Sequence, residues 1–126
     1  MVPQDLRYTK EHEWIRVEGD LATVGITDYA AEQLGDIVFV ELPELGRTVT
    51  QFSAVGVIES VKAVSDLFAP VGGEVVEANS ELANSPELLN GDPFGKGWML
   101  RIRLADAGQV DRLLDAAAYE AFTSEG

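Results

Sequence analysis

The chain contains no cysteine. That absence removes disulfides, thiol nucleophiles and cysteine-ligated metals together. His12 is the only histidine, so it cannot seed a transition-metal site, and no serine pairs with it at a triad-like spacing. It reads as a partly buried structural histidine near Trp14. Basic residues are few, 9 Lys and Arg against 22 Asp and Glu, for a formal charge of −13. Phosphate binding needs a basic face, so this balance argues against nucleic acid as a partner. It favours solubility and steering toward basic protein surfaces. No apolar run approaches the length that spans a bilayer, and the N-terminus lacks the basic and hydrophobic regions of a signal peptide. The carboxylates are numerous, but no Asp-x-Asp-x-Asp-Gly loop organises them for calcium. If the protein does redox work, its sulfur must come from an attached group.

What is present is a chain of 126 residues, 46% hydrophobic, long enough to bury one core. No linker or low-complexity segment divides it, and residues 1–126 read as one domain. Its core runs from about 8 to 104, with a helical extension over about 106–122. The first dozen residues are polar and predict a loosely ordered start. His12–Val17 and Leu21–Ile26 read as strands joined by a Gly19-Asp20 hairpin turn. Thr27-Asp28 is an N-cap pattern, Tyr29–Leu34 a short helix, and Gly35 its C′ glycine. Ile37–Val40 is apolar throughout and predicts a buried strand. Val55–Val61, Val64–Phe68 and Glu74–Ala78 read as further strands, and Pro86–Asn90 as one helical turn. Trp98–Leu104 alternates with the period of a half-buried strand. Val110, Leu113, Leu114 and Ala117 fall at i, i+3, i+4 and i+7, one face of an amphipathic helix. The fold class expected is mainly β: a flattened barrel or sandwich with short helices and a C-terminal amphipathic helix.

Lys62 is one of three lysines, and it alone interrupts a β-rich run, Val57–Asp66. Lys10 and Lys96 lie in polar or glycine-rich surroundings. A β-rich run broken by one lysine predicts two short strands meeting at an exposed turn with the amine at its tip. A Schiff-base lysine needs burial or cationic neighbours, and Lys62 has Glu59 and Asp66 instead. Two readings stay open on local features: a plain surface lysine, or an attachment point modified by another enzyme. Gly91 and Gly95-Lys96-Gly97 do not make a P-loop, since no Ser or Thr follows the lysine. No enzyme site of the chain's own emerges.

Five blocks, read together, resemble one family. They are Glu11-His12-Glu13-Trp14, Val24–Ala30, Leu34–Pro43, Glu59-Ser60-Val61-Lys62-Ala63 and Gly97-Trp98-Met99. In order and spacing they look like the H-protein family of the glycine cleavage system, over about Tyr8 to Phe122. The resemblance implies a fold of the biotinyl/lipoyl-carrier type and lipoic acid in amide linkage on Lys62. It implies that the chain catalyses nothing and shuttles between enzymes. A pyridoxal-phosphate glycine decarboxylase loads an aminomethyl group on the oxidised dithiolane. A tetrahydrofolate-dependent aminomethyltransferase takes its carbon, and an FAD dihydrolipoyl dehydrogenase reoxidises the dithiol. Lipoylating enzymes are implied as further partners, with no nucleic acid and no membrane, and the carrier is expected as a monomer. Glu13 and Asp66 match by position the acidic residues of a cleft that shelters the loaded arm; the alternative is a pair of solvated surface carboxylates.

The resemblance also has a departure. Where the family commonly has Lys-Gly, this chain has Gln51-Phe52, which removes easy access to positive φ and predicts an exposed Phe52. Other readings are a lipoyl domain of a 2-oxoacid dehydrogenase, a biotinyl domain, and an H-like lipoyl-relay or unmodified interaction protein. Biotin carriers usually place methionine on both sides of the lysine, whereas Val61 and Ala63 stand here. Dehydrogenase lipoyl domains favour an acidic residue just before it and usually lack a C-terminal helical extension. The compartment expected is bacterial cytoplasm, with a processed mitochondrial form as the alternative.

Overall fold

A computed structural model describes residues 2–125. Among them, short antiparallel strands form two sheets. In spatial order, the larger holds β1 (Arg7–Tyr8), β2 (Glu13–Glu18), β3 (Leu21–Ile26), β9 (Leu100–Leu104), β8 (Gly73–Ala78) and β5 (Thr48–Val49). The smaller holds β4 (Ile37–Glu41), β6 (Ala54–Ser60) and β7 (Val64–Phe68). Helix α1 (Asp28–Leu34) starts at Thr27, whose Oγ1 accepts the Ala30 N–H. It ends at Gly35, whose φ of 80° is open to glycine at no steric cost. The mainly β class with short helices is therefore the observed one.

The period of 2 explains the core. In β2, Ile15 points into the main core between the sheets, and Trp14 points the other way into a second cluster. Ile58 and Leu67 seat the smaller sheet against Val24, Val75 and Ile102 of the larger. Each such side chain, when fully buried, contributes about 1.5–3 kcal/mol. The second cluster joins Val2, Leu6, Tyr8 and Trp14 to Ala116 and Tyr119 of α3 (Ala116–Glu125).

Several expectations need correction. The N-terminal dozen is not loose: Val2, Leu6 and Tyr8 are buried, and the Tyr8 ring stacks on Tyr119 at 4.7 Å. Their partner lies at the far end of the chain, where local polarity gives no hint of it. The C-terminal helix exists but starts only at Ala116. Residues Ala107–Arg112 form a 3₁₀ helix and Leu113 is extended. Leu114 exchanges two 2.8 Å backbone hydrogen bonds with Tyr8. That bridge requires extended backbone, so Val110, Leu113 and Leu114 cannot share a helical face with Ala117. The turn expected at Pro86–Asn90 becomes α2 (Leu88–Gly91), because Leu88 and Leu89 first close turns onto Ser85 and Pro86.

Strand β4 is also not buried. Ile37 is, but Val38 and Phe39 are 51% and 49% exposed. A bulge between Ile37 and Phe39 turns successive residues outward on an edge strand. The Gln51-Phe52 departure is realised as strain. Phe52 has φ 67°, a left-handed conformation costing about 1–2 kcal/mol for a residue with a Cβ.

Tyr119 ties the second cluster together. Its hydroxyl lies 2.8 Å from both Thr27 Oγ1 and His12 Nδ1. His12 is part-buried as expected, and its desolvation holds the imidazole pKa below its ordinary value. Tyr119→Phe should cost about 1–2 kcal/mol by leaving these groups short of a partner. Thermal melts should register it as a fall of roughly 4–8 °C.

Candidate functional site

The hairpin of β6 and β7 ends in Val61-Lys62-Ala63, and Lys62 is exposed at its tip. Ser60 holds the tip closed. Its N–H donates to the Ala63 carbonyl at 2.8 Å, and its Oγ accepts the N–H groups of Lys62 and Ala63 at 3.3 and 3.0 Å. The tip is also tied sideways, because the Val61 N–H donates to the Asp36 carbonyl at 3.0 Å. Below it, Asn90 of α2 clamps the Gly35–Ile37 turn. Its Oδ1 accepts the Ile37 N–H at 3.0 Å, and its Nδ2 donates to the Gly35 carbonyl at 2.9 Å. The Lys62 stem passes over Gly35 so closely that a Cβ there would lie 3.4 Å from Lys62 Cε. The lysine thus leaves a fixed tip across a bare stretch of backbone.

Strand β7 leads away from that tip. Leu67 faces the core, while Val64, Asp66 and Phe68 alternate onto the opposite face. Four residue steps at about 3.3 Å carry this row roughly 13 Å from Val64 to Phe68. It ends at a cleft of about 420 Å³, whose lining includes Tyr8, Thr9, Phe52, Phe68, Leu113 and Leu114. Lys10, Glu11 and Arg112 line it as well.

Of the two carboxylates matched to a cleft, Asp66 is exposed midway along this row. Glu13 is not a solvated surface carboxylate. It faces the inter-sheet side of β2, is 2% exposed, and lies behind cleft residues Thr9 and Phe68. One carboxyl oxygen accepts from Thr9 Oγ1 at 2.5 Å and the other from the Phe68 N–H at 3.1 Å. Burial pushes its pKa up to about 7, and these hydrogen bonds only partly offset that. Asp66 is therefore an exposed carboxylate along this row, and Glu13 a buried carboxyl behind the cleft.

The outer face of the smaller sheet is patterned too. Register places Phe39, Glu59 and Val64 in one row and Glu41, Val57 and Asp66 in the next. Apolar and acidic side chains alternate across both. On the larger sheet, Glu77 and Glu74 pair with Arg101 and Arg103 at 2.9 and 3.3 Å. Among the described residues, Glu41, Glu59 and Asp66 have no such partner.

Comparison with known proteins decides the family. The family model for the glycine cleavage H-protein matches residues 6–126. The chain belongs to that family. The glycine cleavage system H protein of Symbiobacterium thermophilum is 61% identical over 125 residues, covering 99% of this chain and 98% of that protein. That of Bacteroides thetaiotaomicron is 58% identical over 119 residues, covering 94% of each. The crystal structure of the H protein from Mycobacterium marinum superposes with a TM-score of 0.90 at 41% identity, over 98% of this chain and 99% of that one. The H-protein family is the lipoyl carrier of the glycine cleavage system, and this chain is a carrier subunit of it. The readings as another lipoyl or biotinyl domain, or as an H-like relay or unmodified interaction protein, are not favoured. Among the described residues, no helix is long and apolar enough to cross a membrane, and no cluster of His, Cys, Asp and Glu could hold a metal.

Ser60, Gly35, Asn90, Thr9 and Phe68 belong to the site geometry, and residue-by-residue reading singled out none of them for it. Only Ser60, next to the lysine turn, carried a local signal.

Glu13 also makes stability depend on pH. A carboxyl whose folded pKa is about 7 against an ordinary 4.5 binds more protons when folded. Stability should therefore fall as pH rises from about 4.5 to about 7, then level off. Urea denaturation at pH 5 and pH 8 should show Glu13→Gln gaining on the natural protein by on the order of 3 kcal/mol. Parallel pH profiles would show that Glu13 does not carry this dependence.

Proposed function

We propose that Lys62 is the lipoyl attachment site and that the chain works as a non-catalytic carrier. The observation that carries this is an exposed amine on a braced hairpin tip, at the start of a side-chain row that ends in a cleft. Lys62 Nζ joins the lipoyl carboxyl in an amide, which removes the lysine's positive charge. The bound group supplies a dithiolane, the redox-active sulfur that a cysteine-free chain lacks. Tethering raises its effective concentration at each docked enzyme without adding contacts.

The chain's own residues do the rest. Ser60, Asp36 and Asn90 fix where the arm starts. Val64, Asp66 and Phe68 border its path, and the cleft receives its end. Asp66 favours a cationic head along that path. Glu13 Oε2 accepts from the Phe68 N–H, and its carboxyl can hold or release a proton near neutrality. Ionised, it favours a cation in the cleft; neutral, it favours an uncharged occupant. The unpaired carboxylates and exposed apolar side chains beside the tip support docking to partners with basic, apolar surfaces. Those partners are a pyridoxal-phosphate glycine decarboxylase, a tetrahydrofolate-dependent aminomethyltransferase, an FAD dihydrolipoyl dehydrogenase and the enzymes that attach lipoate. Bacterial relatives support a setting in the bacterial cytoplasm.

Intact-mass measurement of the protein from lipoate-replete cells should show one lipoyl adduct, located on Lys62 and absent in Lys62→Arg. An unmodified mass would remove the assignment. The lipoylated protein, mixed with glycine decarboxylase and labelled glycine, should support exchange of the carboxyl carbon with bicarbonate. No exchange would remove its role in glycine cleavage.

A further inference from the structure

Asn90-Gly91 is the only Asn-Gly pair in the chain, and it stands where the lysine hairpin is braced. Such a pair is chemically labile. The Gly91 nitrogen can attack the side-chain carbonyl carbon of Asn90, because glycine has no Cβ to crowd the approach or restrict the backbone. Nothing in the fold requires glycine there. Its φ is not in the left-handed region, and a Cβ built on it would meet no atom within 4 Å.

The pair is also accessible. Asn90 and Gly91 are both exposed, at the end of the one-turn helix α2. Glu87 stands at the N-cap of α2 without a side-chain hydrogen bond to the helix. While the turn is closed, the Gly91 N–H donates to the Glu87 carbonyl at 3.0 Å, and Gly35 and Ile37 hold the Asn90 amide. Those bonds block the attack. The last bonds of so short a helix open at a lower free energy than the sheets, and opening frees nucleophile and amide together. The other two asparagines differ. Asn79 is buried and Asn84 exposed, and each precedes a serine.

We propose that Asn90 is a site of spontaneous deamidation, and that the reaction releases the brace under the Lys62 tip. The Gly91 nitrogen loses its proton and bonds to Asn90 Cγ, the Cγ–Nδ2 bond breaks, and ammonia leaves. Water then opens the resulting succinimide to aspartate or isoaspartate, with no oxidant or enzyme required. Ionised aspartate has only acceptors, so the Gly35 carbonyl loses its donor and faces a carboxylate. Isoaspartate lengthens the main chain by one carbon, which displaces the side chain from Ile37 as well. Asp36 lies between these two residues, and its carbonyl holds the Val61 N–H beside Lys62. The consequence for the tip holds whether or not Lys62 carries a lipoyl group.

The test ages the full-length protein in mildly alkaline buffer at physiological temperature, in its natural form and as Gly91→Ala, with Asn90→Asp as a mimic of one product. Peptide mapping by mass spectrometry should show the amide-to-acid mass gain at Asn90 of the natural protein before Asn84 or Asn79. Gly91→Ala should keep its fold and slow that gain at least several-fold. In Asn90→Asp, and in the aged natural protein, the Val61 N–H should exchange with deuterium several-fold faster. An intact Asn90 in a protein whose Asn84 has reacted would overturn the site, and so would a rate unchanged by Gly91→Ala. Unchanged Val61 exchange in both the mimic and the aged protein would overturn the release of the brace.

Discussion

The seating of the smaller sheet on the larger one by a single face is the constraint on which the rest of the structure depends. Ile37, Val55, Ile58 and Leu67 are buried between the sheets, and their burial fixes which way the β6–β7 hairpin points. With a period of 2, the alternate residues must face out. Glu59, Val64 and Asp66 are therefore displayed, and the bulge in β4 turns Phe39 out beside them. Because the core holds the strands and Ser60, Asp36 and Asn90 hold the tip, Lys62 is exposed without being loose. Both properties suit the arm proposed for Lys62, which must move while its origin stays fixed.

Charge is distributed with the same division. On the larger sheet Glu77 and Glu74 are paired with Arg101 and Arg103, and Arg101 also lies 4.0 Å over the Trp98 ring. The smaller sheet keeps its carboxylates unpaired beside the lysine. Exposed ion pairs contribute little to stability, so this difference bears on recognition more than on folding. Glu13 is the exception to an otherwise solvated acidity. It lies between the sheets, touching Thr9 before β2 and Phe68 of β7, and its burial raises its pKa toward neutrality. A fully charged carboxylate there would be costly, and a hydrophobic residue would leave the Phe68 N–H without its acceptor.

Much of the fold was legible in the residues. The Gly19-Asp20 hairpin, the Thr27 cap, the Gly35 terminus and the lysine turn are local signals, each set by a few neighbouring side chains. The exposure of Phe52 was legible as well, but losing the glycine predicts that positive φ is closed off, and Phe52 adopts it all the same. The failures share a cause. Tyr8 and Leu114 are far apart in sequence, and their bridge decides both the order of the N-terminus and the late start of the C-terminal helix. Val38 and Phe39 read as core because they are apolar, but a bulge on an edge strand exposes them.

By itself, the sequence determined that the chain has no cysteine and a single histidine, and that Lys62 sits at a turn in a β-rich run. Composition and nearest-neighbour preferences suffice for that, since each acts over a few residues. Only the tertiary structure decided that Glu13 is buried while Asp66 is exposed, that Asn90 braces the lysine, and that Phe52 lines a cleft. Burial, hydrogen-bond partners and cavity walls are set by residues distant in the chain, and two carboxylates alike in sequence become different groups once the sheets close.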